Sequence, residues 1–389
     1  MKKSFKKVML TVLALTLLVA GCGKKQDSKK TGEEKTKTEA TTVKVKDALD
    51  REVEVKKDPQ SVVLGFSFEE YFAVTGKEGV SKIKGWSRKY WEGRRQSSWD
   101  VFVKKFPEID KIKDVGYGPK KNFSVENVIS IKPDVVFLPT IDKETLGEGL
   151  GNLEKAGIPV IFLDYHTQSI EQHEKSTMAI GKAMGKEDRA KELMDFYKNQ
   201  IKKIDDVIKN ANITHKPKVY VEFSDKKGPS VYGATYGKKM WGALVEQVGG
   251  DNIARDLVKS ASEPISPEKI IAANPDIVIF AGNEFTGPKE NIPLGYTTKP
   301  EEAKAGIEKY KKRTGWESLN AVKNDKMYAL YHDLSRHIFD FVGYQFFAKV
   351  IQPELFKDLE PEKNLKEFHE KFYPVEYTGT WFIWGDLAK

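Results

Sequence analysis

The spacing of apolar positions changes along this chain from strand-like to helical and back again. Residues 43–55 alternate apolar and polar about a turn at Asp50-Arg51, which predicts a two-stranded opening ribbon. Residues 62–66 are continuously apolar, as in a strand covered on both faces. Ser67 stands where a helix cap belongs, ahead of Glu69, Tyr71, Phe72 and Val74, with Gly76 as the stop. Residues 80–83, 111–115 and 159–163 read as further strands, with a long loop between the first two. From Ser169 the period is helical. Residues 188–209 run without a breaker on Leu193, Phe196, Tyr197, Ile201, Ile204 and Ile208. Roughly 20 helical residues span about 30 Å, enough to strut two lobes. After Pro217 the strand–helix pattern restarts, with strands at 218–222 and 327–330 and helices at 239–248 and about 339–351. Residues 353–389 hold a helix-like stretch, 365–372, and an aromatic end with Tyr373, Tyr377, Trp381, Phe382 and Trp384, expected to pack on the second lobe.

Within this pattern, residues 124–139 and 266–281 repeat each other. Each copy opens on serine (Ser124, Ser266), has glutamate two positions on (Glu126, Glu268), and reaches Pro-Asp (Pro133-Asp134, Pro275-Asp276) before a short apolar run. Serine caps a helix, and the glutamate meets the positive end of its dipole. Proline ends the helix, and the apolar run is a buried parallel strand. Two copies of helix, turn and strand imply two similar α/β lobes, each a mostly parallel sheet flanked by helices, joined by one long helix. A ligand cleft is expected between them, with the glutamates at equivalent surface positions.

The N-terminus adds an address. Four lysines precede an apolar run over residues 8–20 that ends Leu18-Val-Ala-Gly-Cys22. That pattern reads as a secretory signal over 1–21. Its end resembles a bacterial lipobox, which implies that Cys22 is the lipidated first mature residue, on the extracytoplasmic face of the membrane. Cys22 is the single cysteine, so an internal disulfide is impossible. Residues 22–46 are polar and read as a disordered tether. The whole chain carries 65 Lys and Arg against 57 Asp and Glu. Four of those lysines lie in the signal, and eight lysines and four acids in the tether, leaving 53 of each sign from Asp47 onward. The body is therefore neutral, which removes the compositional case for nucleic-acid binding. The basic tether suits anionic lipid headgroups. A phosphate-binding glycine loop, a nucleophile elbow and a His-Glu-x-x-His helix are all missing, so an enzyme is not expected, nor a cofactor.

Several stretches in fixed order resemble the lipoprotein substrate-binding subunits of bacterial ABC importers for ferric siderophores, haem and cobalamin. They are Asp47-Ala-Leu-Asp-Arg-Glu-Val-Glu-Val55, Glu126 with Lys132-Pro-Asp134, Ile180-Gly-Lys-Ala-Met-Gly-Lys-Glu-Asp-Arg-Ala190, Val248-Gly-Gly-Asp-Asn-Ile-Ala254, Glu268 with Asn274-Pro-Asp276, and Gly315-Trp-Glu-Ser-Leu-Asn-Ala-Val-Lys-Asn324. The resemblance covers residues 43 to about 351. Asp50 departs from it where the family usually has glycine, though aspartate tolerates a turn. The resemblance implies an N-terminal lobe over 47–185, an interlobe helix over 186–212 and a C-terminal lobe with its extension over 213–389. It also implies a monomer whose partner is an ABC permease dimer with its ATPase, docked through Glu126 and Glu268.

Ligand residues belong on loops beyond the carboxyl ends of strands. In the first lobe that selects the window 85–99, with Trp86, Arg88, Tyr90, Trp91, Arg94 and Arg95, followed by Tyr117, Thr140 and His166. In the second lobe it selects Tyr232, Tyr236, Asn283, Arg336 and His337. Arginine forks suit catecholates and carboxylates, and aromatic faces suit flat chelates. The expected cargo is therefore an anionic ferric siderophore. Haem, cobalamin, a nickel or cobalt complex, or an oxyanion are the alternatives. Direct metal ligation is not expected; if it occurs, His166, His332 and His337 are the candidates. His173, His215 and His369 read as structural.

Overall fold

The structure is a computed structural model that describes residues 41–285 and 289–388. The signal, Cys22 and the tether up to residue 40 lie outside the described residues. The opening ribbon forms as expected, with β1 (Thr42–Lys46) antiparallel to β2 (Glu52–Lys56). Thr42–Lys46 therefore belongs to the folded body and not to the tether. Asp50 takes the turn with a φ of 60°, which explains how it replaces glycine.

The first lobe is built on five parallel strands, β3 (Val62–Leu64), β4 (Ile83–Trp86), β5 (Lys113–Asp114), β6 (Val135–Pro139) and β7 (Val160–Leu163), in the order β5-β4-β3-β6-β7. The second holds β8 (Lys218–Phe223), β9 (Asp251–Asn252), β10 (Ile277–Gly282), β11 (Met327–Tyr331) and β12 (Phe382–Ile383), in the order β12-β11-β10-β8-β9. Only β12 runs antiparallel, on β11. The residues of β6, β10 and β11 are buried without alternation, as both faces carry helices.

The repeated segments fold alike. The helices Val125–Ile131 and Pro267–Ala273 each end in a left-handed residue, Lys132 at φ 52° and Asn274 at φ 47°, and lead into β6 and β10. Asp134 then accepts from the backbone N–H groups of Gln60 and Ser61 at 2.8 and 3.0 Å, just before β3. Asp276 accepts from the Lys218 N–H at 3.0 Å, at the start of β8. The Pro-Asp aspartate thus staples two neighbouring parallel strands in each lobe.

The connecting helix, Glu187–Asn210, is 24 residues long and buries Ala190, Leu193, Met194, Tyr197, Gln200 and Ile204. It packs on the helix Ile170–Ala183 of the first lobe and on Phe341–Ile351 of the second. The C-terminal segment does more than cover the second lobe. Its helix Pro361–Phe372 also touches the first-lobe helix Phe68–Thr75. Tyr373 packs edge-on against Phe102 of the first lobe at 5.4 Å. Arg189 of the connecting helix donates to the carbonyls of Ala73 and Phe372, tying the three together.

Candidate functional site

The window 85–99, read above as a loop, is two short helices, Arg88–Arg94 and Gln96–Lys105. Their period turns Trp91, Arg95 and Trp99 inward along with Phe102. Trp86 ends β4 and stacks on Phe68 at 3.9 Å, inside the core. Trp86 and Trp91 are thus core residues, not walls of an open site. Arg88 turns away to Glu92 and Asp110 at 3.5 and 3.3 Å. Arg94 is exposed and Tyr90 half-buried, its ring stacked on Tyr117 at 4.1 Å.

Arg336 lies where the two lobes meet. It follows β11 on the turn His332–Leu334 and is half-buried. Its charge acts on Tyr117 and His166 of the first lobe and on Tyr236 and His332 of the second. Its Nε is buried without a hydrogen-bond partner. Arg94 also reaches His332 electrostatically, from the facing lobe. Burial raises the phenols of Tyr117 and Tyr236 well above their usual range, so both remain O–H donors.

The two half-buried histidines are neutral for the same reason. Desolvation first, and the Arg336 charge with it, push His166 and His332 down to about 3. They differ in what their nitrogens are free to do. Trp241 Nε1–H donates to His332 Nδ1 at 3.4 Å, which leaves the proton on Nε2 and makes that nitrogen a donor. His166 is carried by an Asx-type turn in which Asp164 Oδ1 accepts from the N–H groups of His166 and Thr167 at 2.9 and 3.0 Å. Its ring rests on Phe66 at 5.2 Å and makes no side-chain hydrogen bond among the described residues.

The other expected residues lie elsewhere. His337 is fully buried between Glu70 and Arg95. Arg95 is buried too, 3.6 Å from Glu69 and 3.9 Å from Asp333, with Asp333 contributed by the second lobe. Neither presents a free face to a ligand. Tyr232 belongs to a separate cluster, with Arg313 over its ring at 4.2 Å and Trp316 Nε1–H donating to its hydroxyl at 3.0 Å. Asn283 is buried; its backbone carbonyl accepts from Asn291 Nδ2, and its side-chain Oδ1 is buried without a partner. Thr140 follows β6, half-buried, and its N–H bonds to the Leu163 carbonyl at the end of β7. Two surface hollows of about 480 and 580 Å³ lie away from Arg336, one on the connecting helix and one between Gln96–Lys105 and the C-terminal segment.

Two mostly parallel sheets, one connecting helix and a polar seam beyond the strand ends describe a binding protein, and the comparisons agree. Residues 67–334 match the family model described as periplasmic binding protein. The chain belongs to that family. The uncharacterized ABC transporter substrate-binding lipoprotein YvrC of Bacillus subtilis is 27% identical, over 90% of this chain and 98% of its own. A cobalamin-binding protein of Halobacterium salinarum is 29% identical over 42% of each chain. Among solved structures, the TroA-like periplasmic binding protein FepB from Veillonella parvula superposes with a TM-score of 0.83 at 35% identity, covering 88% of this chain and 99% of that one. This periplasmic binding protein is thus a solute-binding component of an ABC importer and not an enzyme, and a permease is its partner. Among the described residues, no helix is long and apolar enough to cross a membrane.

The exposed glutamates of the repeat hold matching positions. Ser124 Oγ donates to Glu126 Oε2 at 3.3 Å and Ser266 Oγ to Glu268 Oε2 at 2.8 Å, each in a helix's first turn. The Ser266 bond, with the helix backbone, lowers the Glu268 carboxyl below its usual range. Sequence reasoning missed Phe66 and Trp241 beside the histidines. Both sit at the ends of apolar runs, where position alone does not separate core from cleft.

Proposed function

We propose that this protein captures an anionic metal chelate of the ferric siderophore class outside the cell and hands it to its permease. The observation that carries this reading is Arg336, with an unpartnered Nε among the phenol donors Tyr117 and Tyr236 and the imidazole donor His332. Such a ring offers a cation and several O–H and N–H donors to the oxygens of a catecholate or carboxylate complex. Arg94 adds a second cation from the first lobe, and the Tyr90 ring stacks on Tyr117.

Lipidated Cys22 tethers the body to the outer face of the cytoplasmic membrane. Glu126 and Glu268, one per lobe, meet basic residues on the two halves of a permease dimer. Exposed pairs contribute only about 0.2–1 kcal/mol each, so they orient the complex more than they tighten it.

The test is tryptophan-quenching titration of residues 41–389 with ferric catecholate, carboxylate and hydroxamate complexes, haem and cobalamin. One ferric complex should bind, and Arg336→Ala should weaken it about ten-fold or more. Indifference of every ferric complex to Arg336→Ala would refute the reading.

A second reading has its own support. The His166 ring is neutral and unbonded, and so competent as an axial ligand to haem or a corrinoid. In that case haem or cobalamin binds with a shift in its absorbance bands, and His166→Ala abolishes the shift.

A further inference from the structure

Arg336 has a φ of 68°, in the left-handed region that a residue with a side chain rarely occupies. Strain of this kind persists only where the surroundings over-determine it. Here the next two residues are gripped from the other lobe. Glu70 Oε1, on the first-lobe helix Phe68–Thr75, lies 2.7 Å from His337 Nδ1 and accepts from the Ile338 backbone N–H at 3.1 Å. The His337 ring is stacked against Phe339 at 4.9 Å and Phe66 at 6.1 Å. Its Nε2 contacts the Arg95 guanidinium, which can only donate. Nε2 is therefore the acceptor, and Nδ1 carries the proton and donates to Glu70 Oε1. Glu70, Arg95 and His337 are all at least nine-tenths buried. A buried carboxyl is costly where an apolar side chain would pack, so its presence calls for a role beyond filling space.

We infer that Glu70 is the positioning residue for Arg336. By holding His337 and Ile338 across the lobe seam, it keeps the arginine in its left-handed conformation with the guanidinium in the cleft. This rests on the reading of Arg336 as the ligand's cationic partner. It has a consequence for release. The grip crosses from one lobe to the other, so any separation of the lobes frees residues 336–338 and withdraws the arginine at the same moment. Ligand affinity and lobe apposition are then one variable.

The test uses ¹⁵N-labelled protein, in which the Arg336 Nε–Hε resonance is identified by its loss in Arg336→Lys. Ferric tris(2,3-dihydroxybenzoate) serves as the chelate probe. Glu70→Asp pulls the accepting oxygen back by one methylene. It should shift or broaden the Arg336 resonance and weaken chelate binding about ten-fold. Glu70→Gln keeps an acceptor for both donors and should restore both readouts. Should Glu70→Asp not fold, His337→Ala removes one of the two donors and must move the same resonance. An unchanged Arg336 resonance in a folded Glu70→Asp or His337→Ala protein overturns the inference, as does a Glu70→Gln protein that behaves like Glu70→Asp. If the resonance moves as expected while the wild type binds no ferric chelate, the positioning role stands and the ligand assignment falls.

Discussion

At the scale of single residues, Arg313 and Glu222 form a demanding buried pair. Glu222 is fully buried and takes two 2.8 Å bonds from the Arg313 guanidinium, one from each terminal nitrogen. Tyr220 and the Gly233 N–H complete its shell at 3.0 Å. Three aromatic rings, Tyr232, Tyr310 and Trp316, surround the guanidinium within 4.2 to 4.8 Å. Removing one partner leaves the other charged and buried, so Arg313→Ala should cost about 3–5 kcal/mol in urea unfolding. The double variant with Glu222→Leu should recover part of that loss. This pair was not legible in the sequence, because Arg313 sits in a Lys-Lys-Arg run that reads as a solvated surface. The window 85–99 misleads in the opposite direction at Trp86, Trp91 and Arg95, which are buried. Its arginines and tryptophans look like a ligand patch by composition, yet 91, 95, 99 and 102 carry helical spacing that turns them inward. Composition showed which groups were present; period decided which way they faced.

At the scale of elements, the repeat was the most legible feature, and the structure supplies its physical cause. Each Pro-Asp turn follows a left-handed helix end and places an aspartate against the start of a neighbouring strand. Asp134 accepts from two backbone N–H groups and Asp276 from one, with Asn320 Nδ2 donating to its other oxygen at 3.0 Å. Asp134→Ala should therefore destabilise by about 1–3 kcal/mol. Asp134→Asn, which retains an acceptor oxygen, should cost less. Equilibrium unfolding of the two variants side by side checks the order. Helix caps were less legible. Ser124 accepts from the Asn127 N–H as its position suggests. Ser67 does not cap at all: it adopts a φ of 45° with no side-chain cap bond. That departure starts the helix that delivers Glu69 and Glu70 to the seam, and no local propensity encodes it.

At the scale of the whole molecule, the lobes are fastened by more than the connecting helix that the sequence announced. The buried group Glu69, Glu70, Arg95, Asp333 and His337 joins them at the seam, and the C-terminal helix joins them again through Tyr373 and Arg189. Neither fastening has a sequence signature, since both depend on residues far apart in the chain. Their burial makes stability depend on pH in a way whose sign can be worked out. Burial pushes Glu70 from 4.5 up to about 7, and Asp142 from 3.8 up to about 6. Raised carboxyls stabilise the fold most below their unfolded values and lose that contribution as pH rises through the folded ones. The histidines act the other way. Burial lowers His166 and His332 from 6.5 to about 3 and His369 to about 4. Their contribution is complete above 6.5 and is lost as pH falls through the folded values. Between roughly pH 3.8 and 6.5 the two sets oppose each other, and below about 3.8 the histidine titrations continue without that opposition, joined by carboxylates such as Asp50 and Asp134 whose values are lowered. The urea midpoint should accordingly change little across the first interval and fall steeply below it. His369→Gln, remote from the cleft and bonded to the Leu365 carbonyl and Tyr296 hydroxyl, should move the start of that fall to lower pH. A midpoint that declines steadily from pH 7 downward would mean that the buried carboxyls of the seam are not held protonated.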